Sequence, residues 1–243
     1  EILASMNQTM RRRVRQLETE SFSYTYTQEK ENFDFFYFQM YLPYTTLRHR
    51  GQGMILNDYE TTLDYFMQGG LILIKDGQQP VCGMLCLLEG DMCHALQMGV
   101  LDGEFDLVKR GVNVALWWYM LMWARDQAAQ KFDFGISWAQ TSNGVFNFKR
   151  QWGTRVYLNQ LINTRLSFYA QRLPDKLREH LNALGNITIV DGKFYQLILL
   201  KPDELSNAKD FTRELKYAES CGLEGIVLIS EGGKLQVISN ASD

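Results

Sequence analysis

The run from Leu71 to Gly135 constrains the fold more than any other part of the chain. Three short apolar segments, Leu71–Lys75, Pro80–Leu88 and Met92–Val100, succeed one another with little chain between them. Asp76-Gly77 and Glu89-Gly90-Asp91 separate them and carry turn chemistry. Strands this close in sequence pair antiparallel, because parallel partners need a long crossover. Asp102–Arg110 reads as a loop leading into Gly111–Ala129, a segment apolar almost all round. Such a helix lies deep against a sheet. Phe132–Gly135 comes next as a further strand; it is reached through that helix and is expected to lie parallel to the strand before it. The expected class is α+β with a mixed sheet.

Composition bounds the rest. A chain of 243 residues holds one large domain or two small ones. Its 46% hydrophobic and 13% aromatic content supplies a substantial core. With a formal net charge of -3 there is no global basic field, so a stable nucleic-acid partner is not expected, although a local basic patch stays open. The longest apolar run, Val114–Ala124, is too short to span a bilayer. No signal-peptide pattern is visible, and the chain starts Glu1-Ile2-Leu3 without a methionine, as a piece of a longer protein would. Cys82, Cys86, Cys93 and Cys221 form no C-x-x-C pair. Three of them sit in strand-like runs, where cysteine behaves as a small hydrophobe. Cys82, Cys86, Cys93 and His94 have the wrong spacing for zinc, so no metal is expected. Free thiols suit a reducing, cytoplasmic setting.

The flanks add further elements. Ile2–Glu18 reads as a helix carrying Arg11, Arg12, Arg13 and Arg15, which form either a solvated face or an anion-facing patch. Ser21–Thr27 alternates Phe22, Tyr24 and Tyr26 with polar residues and reads as a strand. Asn32–Leu47 is rich in aromatics and reads as a helix up to Pro43, which ends or bends it. Thr45–Gly53 is expected as a loop, with Arg48, His49 and Arg50 on it. Asn57-Asp58-Tyr59-Glu60 resembles a capping box with Asn57 as the cap, opening a helix that stops near Gly69-Gly70. After Asn143 a short helix carries Phe148-Lys149 and ends at Trp152-Gly153, and Thr154–Ile162 reads as another strand. The character changes near Thr164. Pro174–Leu184 and Pro202–Ser220 read as helices, the second with Leu205, Ala208, Phe211 and Leu215 at helical spacing and Gly222 as its stop. Ile187–Val190 with Phe194–Leu200, and Gly225–Ile229 with Leu235–Ile238, read as hairpins around Asp191-Gly192 and Glu231-Gly232-Gly233. The domains expected are therefore 1–163 and a small α+β unit, 164–243.

Several of these segments occur in an order with a known counterpart. An Arg-rich helix comes first, then the aromatic-basic segment from Phe36-Tyr37 to Arg48, then the meander. Gly111 heads the long helix, and Asp133-Phe134-Gly135, Phe148-Lys149 and Trp152-Gly153 come after it. Over about residues 3 to 160 the chain resembles the FemAB-like branch of the GNAT superfamily of N-acyltransferases. The resemblance implies a GNAT-like acyltransferase fold. It implies transfer of an acyl group from acyl-CoA, acetyl-CoA or longer, to an amine of a small-molecule or envelope-precursor acceptor. Two alternatives stand beside it: an aminoacyl-tRNA-dependent transferase of the Fem type, and a GNAT-shaped binding module without catalysis. Acyl-CoA members of the superfamily carry Arg/Gln-x-x-Gly-x-Gly/Ala before the long helix. Here Val108-Lys109-Arg110-Gly111-Val112-Asn113 keeps one glycine and adds two basic residues.

Amide formation needs a base for the amine and donors for the developing oxyanion. Asp133, at a strand end, is the expected base or amine anchor, or else orders its loop. Lys149 is expected to hold a carboxylate, a phosphate or the oxyanion, or else to be an exposed helix lysine. Backbone N–H groups at Met98 and Gly99 are the expected donors to the acyl carbonyl, on a splayed strand. Lys109, Arg110 and Gly111 are expected at the phosphates of the donor, at a helix N-terminus. Tyr37, Tyr41, Arg48, Arg50, His94 and Trp152 are expected to line the acceptor site, with core packing, a solvated loop or a satisfied histidine as the plainer readings. There is no G-x-S-x-G, Walker or dinucleotide motif.

Overall fold

The computed structural model describes residues 2–48, 58–158, 173–201, 211–230 and 235–239. The chain forms two compact units, Gln8–Gly135 and Ile136–Asp243 with Glu1–Asn7. The division falls after Gly135, whereas the sequence changes character only near 164. The segment after Gly135 packs with the C-terminal elements. Thr141 N–H donates to the Gly185 carbonyl at 2.8 Å, and Phe146 joins a core with Ile198, Leu200, Ile226 and Leu228.

The first residues form helix α1 (Ile2–Ser5), which belongs to the second unit. The first unit opens with α2 (Gln8–Gln16), a 3-10 turn (Leu17–Thr19) and strand β1 (Phe22–Thr27). The single helix expected over Ile2–Glu18 is thus broken at Met6-Asn7. Next come α3 (Lys30–Phe35), a π-helical segment (Phe36–Tyr41) and α4 (Leu42–Arg48). Pro43 does not end the helix; it sits in the first turn of α4. Its missing donor is tolerated there because the widened π turn precedes it. Thr45–Arg48, expected in a loop, is helical; the rest of that loop, and Asn57, lie outside the described residues. Helix α5 (Tyr59–Gln68) is capped by Asp58, whose side chain accepts the Thr61 N–H at 2.8 Å, and it stops at Gly69. That bond holds the Asp58 carboxyl below its ordinary range.

The meander is formed by β2 (Gly70–Asp76), β3 (Gln79–Glu89) and β4 (Met92–Val100). The expected loop at Asp102–Arg110 contains helix α6 (Phe105–Lys109), with Asp106 and Lys109 paired across its single turn. Helix α7 (Val112–Asp126) then crosses to β5 (Lys131–Asp133). The sheet order is β1-β2-β3-β4-β5; β1 to β4 are antiparallel and β5 runs parallel to β4, as the sequence implies.

Both faces of this sheet are covered. Tyr24 and Tyr26 stack on Tyr119 and Trp123 of α7 at 5.3 and 4.9 Å between ring centroids. They lie opposite Ile74 and Ile72, so that side of β2 faces α7 as well. Leu71 and Leu73, on the alternate side, join Phe33, Phe36, Tyr37, Met40, Tyr41 and Phe66 in an aromatic core. Gly83 and Gly99 are direct register partners on that second side. A Cβ on Gly99 would lie 2.4 Å from the Tyr41 nitrogen and 2.5 Å from the Met40 carbonyl carbon. Gly99 leaves a bare patch on which the π segment's own backbone rests, and Gly83 beside it leaves room for the Phe36 side chain.

The second unit contains α8 (Gly144–Arg150), α9 (Asp175–Leu184), β6 (Ile187–Val190), β7 (Lys193–Leu200), α10 (Thr212–Ser220), β8 (Gly225–Ser230) and β9 (Leu235–Ser239). Both expected hairpins are present. Asp191 and Gly192 take φ values of 49° and 76°, the left-handed turn that suits a two-residue hairpin. The hairpins join into one sheet, β6-β7-β8-β9, through a parallel β7/β8 pair with α10 as its crossover. Residues 154–158 form no strand; they pass beside the turn after α10, where the position of a Cβ on Gly222 lies 3.0 Å from the Thr154 carbonyl oxygen. The remainder of that predicted strand, residues 202–210 and the turn at Glu231-Gly232-Gly233 lie outside the described residues.

Candidate active site

The site in the first unit starts from an irregularity in β4. From the pair Met84↔Met98 to the pair Cys86↔Ala95, β3 advances past Leu85 alone while β4 passes both Leu96 and Gln97. β4 therefore carries a bulge of one extra residue, a device that re-aims side chains and ends regular pairing. β5 pairs with β4 only from Met92 to His94. Beyond His94, β4 has no paired strand on that side among the described residues. Such an edge presents backbone N–H and C=O groups to whatever lies beside it. Met98 and Gly99 lie on this stretch, and Gly99 has the additional packing constraint set by Tyr41.

β5 ends at Asp133, the register partner of His94. Side chains opposite one another in a ladder share a face, and these two meet: His94 Nδ1 lies 3.2 Å from Asp133 Oδ2. Asp133 Oδ1 accepts the Gly135 N–H at 2.7 Å. On its other side, His94 Nε2 lies 3.5 Å from Glu89 Oε2. An imidazole between two carboxylates is suited to accept and pass on a proton. The sequence names Asp133 and His94 for separate tasks; the ladder joins them. Glu89 reads in the sequence only as a turn residue, and no local signal marks it, because its place beside His94 comes from the β3/β4 register.

A hollow of about 720 Å³ opens where α7 begins, lined by residues of α2, the 3-10 turn, α6 and α7. Its wall includes Arg13, Glu20, Lys109, Arg110 and Gly111. Gly111 caps α7 with φ 95°, a conformation that favours glycine. Arg110 is not an isolated cation: it donates to Asp76 at 2.8 Å and lies 3.6 Å from Glu20. Lys109 donates to Asp106 at 2.8 Å. Hydrogen bonds from the Ser21 hydroxyl and then from Arg110 hold the Asp76 carboxyl below the ordinary range. The Arg110 and Lys109 side chains are 47% and 64% exposed, so these pairs are screened by solvent, contribute little and yield readily to a more highly charged anion. With a helix N-terminus on the same wall, the hollow sets basic side chains beside a partial positive charge, an arrangement that suits an anion.

The other expected site residues have structural surroundings. Tyr37 and Tyr41 are each 6% exposed and packed in the aromatic core, Tyr37 edge-on to Tyr59 at 5.2 Å. Burial, first of all, pushes the Tyr37 hydroxyl above its ordinary range. Arg48 donates to the Tyr44 hydroxyl and lies over that ring. Arg50 lies outside the described residues. Lys149 belongs to the second unit, and Asp133 to the first. Lys149 is buried and donates to the Ile136 carbonyl at 2.7 Å, so the exposed-lysine reading does not hold. Replacing it by Met is expected to destabilise the protein by roughly 1–3 kcal/mol, because the part-buried hydrogen bond from a charged donor to the Ile136 carbonyl is lost; chemical unfolding of Lys149→Met measures this. Trp152 is buried, edge-on to Phe148 at 6.1 Å, and its carbonyl accepts the Ser5 hydroxyl at 3.3 Å. Burial raises the thiols of Cys82 and Cys86 well above their ordinary range and that of Cys93 to about 12, as suits unreactive core residues. Among the described residues, no group of three or more His, Cys, Asp or Glu side chains is placed to hold a metal ion, and no helix is long and apolar enough to cross a membrane.

Among solved structures the chain is similar to an aminoglycoside acetyltransferase, meta-AAC0020, from an uncultured soil metagenomic sample. With sisomicin bound, that protein is 8% identical over 63% of this chain and 99% of its own, at a TM-score of 0.42. With trehalose bound, it is 7% identical over the same shares, at a TM-score of 0.41. No curated protein matches the sequence. The model of the acetyltransferase (GNAT) domain matches residues 4–150, more than half of the chain. With that match, which spans the meander, the bulged strand, the head of α7 and the Asp133–His94 pair, the chain belongs to the GNAT acetyltransferase family and is an acyltransferase of that class.

Proposed function

We propose that the protein transfers an acyl group from acyl-CoA to the amine of a small-molecule or envelope-precursor acceptor. The observations that carry this reading are the unpaired edge of β4 beyond the Asp133–His94 pair and the basic hollow at the head of α7. From His94 to Val100 the strand spans about 20 Å at ~3.3 Å per residue. An elongated donor with phosphates at one end and a thioester at the other suits that track.

In this reading Arg13, Lys109 and Arg110 meet the donor's phosphates, and Gly111 lets the backbone approach them. N–H groups of the Met98-Gly99 edge face the thioester carbonyl. The Asp133–His94 pair takes a proton from the acceptor's ammonium. The freed amine attacks the carbonyl, the oxyanion is held by the strand edge, and the intermediate collapses to the amide with the CoA thiolate as leaving group, which takes up the second proton lost from the nitrogen to depart as the thiol. We also place the chain in the FemAB-like branch, on the order of its motifs from the Arg-rich helix to Trp152-Gly153. The buried free thiols support a cytoplasmic setting.

Titration calorimetry with CoA and acetyl-CoA tests the donor. Arg13→Ala with Lys109→Ala is expected to weaken CoA at least tenfold, or about 1.4 kcal/mol, and to flatten the salt dependence of binding. Saturable binding of charged tRNA without any binding of CoA would instead favour the aminoacyl-tRNA-dependent reading.

A further inference from the structure

We infer that the Gln97 carboxamide recognises a neutral hydroxyl or amide substituent next to the reacting centre of the substrates. This rests on the proposed use of the β4 edge as the place of reaction.

Gln97 is one of the two residues that β4 sets against Leu85 alone. Its neighbours on the strand are apolar: Ala95, Leu96, Met98, Gly99 and Val100. Both polar atoms of its side chain are shielded from solvent, and neither has a hydrogen-bond partner among the described residues. Among those residues no other side chain has both a buried donor and a buried acceptor left in this way. A buried amide with neither end satisfied weakens the folded state, and Leu or Met at this position would avoid the penalty. The position is also specific to the chemistry. His94, which faces the proposed base, lies three residues before Gln97, and Met98, at the proposed carbonyl edge, comes directly after it.

The unmet groups define the ligand. A primary amide offers donors and an acceptor side by side, so its natural complement carries both as well: a hydroxyl or another amide. A charged substituent would find no counter-charge on Gln97. Such a group can arrive on the acyl chain, close to the thioester, or on the acceptor, beside the amine. The chemistry recognised is the same in both cases.

The test compares the wild-type chain with Gln97→Leu in two arms. In the donor arm, calorimetry measures 3-hydroxybutyryl-CoA against butyryl-CoA. In the acceptor arm, thiol release from acetyl-CoA is followed with trans-2-aminocyclohexanol against cyclohexylamine. The expected result is a preference of at least tenfold for the hydroxyl-bearing member in one arm, reduced below twofold by Gln97→Leu. The arm that responds identifies which substrate carries the group. The affinity of Gln97→Leu for CoA itself should stay within twofold, and its melting temperature should equal or exceed that of the wild type, since an orphaned amide has been removed. No preference in either arm, a preference that survives the substitution, or a fall in melting temperature together with CoA affinity would each overturn the inference. Failure of wild-type protein to bind any CoA would sink the acyl-CoA reading itself, and this inference with it.

Discussion

Gly99→Ala is expected to be among the most damaging single-methyl changes in the chain, with a loss of about 3 kcal/mol or more in unfolding free energy. The added Cβ would sit 2.4 Å from the Tyr41 nitrogen, inside any tolerable contact. Overpacking against side chains typically costs ~1–3 kcal/mol because rotamers can adjust. Here the obstacle is the backbone of the π segment, which carries Tyr37, Met40 and Tyr41 into the core and has no rotamer to change. Gly83→Ala on the opposite strand is the control. Its Cβ would meet Phe36 Cδ2 at 2.8 Å and Leu73 Cδ2 at 3.0 Å, both side-chain rather than backbone atoms. That variant should lose about half as much or less. Urea unfolding of the two variants checks the order, and equal stabilities would contradict the close approach of the π segment to β4.

Asp133→Asn is expected to lower kcat by roughly 10²–10⁴-fold, the range for removal of a positioned acid–base group. In free energy that is about 3–5 kcal/mol of transition-state stabilisation. The substitution is chosen because it keeps an oxygen for the Gly135 N–H, at 2.7 Å in the wild type, while removing the charge opposite His94. Folding should therefore change little and the affinity for the acyl donor should persist. His94→Gln is expected to lose activity to a similar degree, and the double variant no more than either single one, because the two side chains act as a unit. Additive losses, or a kcat for Asp133→Asn near wild type, would remove the pair from the mechanism.

Much of the first unit is readable from sequence because its signals are local. The three strands, their turns, the apolar α7 and the Gly69 stop each come from residues within a few positions of one another. The parallel placement of β5 is dictated by the crossover alone. The features hidden from the sequence depend on register. Nothing around Leu96-Gln97 announces an extra residue, since a bulge exists only relative to the partner strand. The meeting of His94 with Asp133 and with Glu89 arises from pairings across 39 residues and across a turn. Pro43 misleads in the opposite direction: its local rule is sound, but a π turn just upstream changes the geometry the chain can accommodate. Arg110 reads as a free cation because its carboxylate partners, Asp76 and Glu20, are remote in sequence. In the second unit the hairpins are legible from Asp191-Gly192 and the spacing of apolar residues. Their fusion into one sheet is not, because parallel pairing leaves no turn to recognise.

The π segment also bears on how this part of the chain can tolerate changes in length. A π turn holds more residues than an α turn, so removing one residue between Phe36 and Tyr41 would let an ordinary helix form and relieve its poorer hydrogen bonding. Because the π turn completes its rotation with about one residue more than an α turn, that deletion would leave the residues downstream close to their present phase. Tyr44 and Thr45 would stay buried. A deletion after Tyr41 would instead turn the rest of α4 by about 100°, so the π turn is where this stretch can change length by one residue without re-facing the helix that follows.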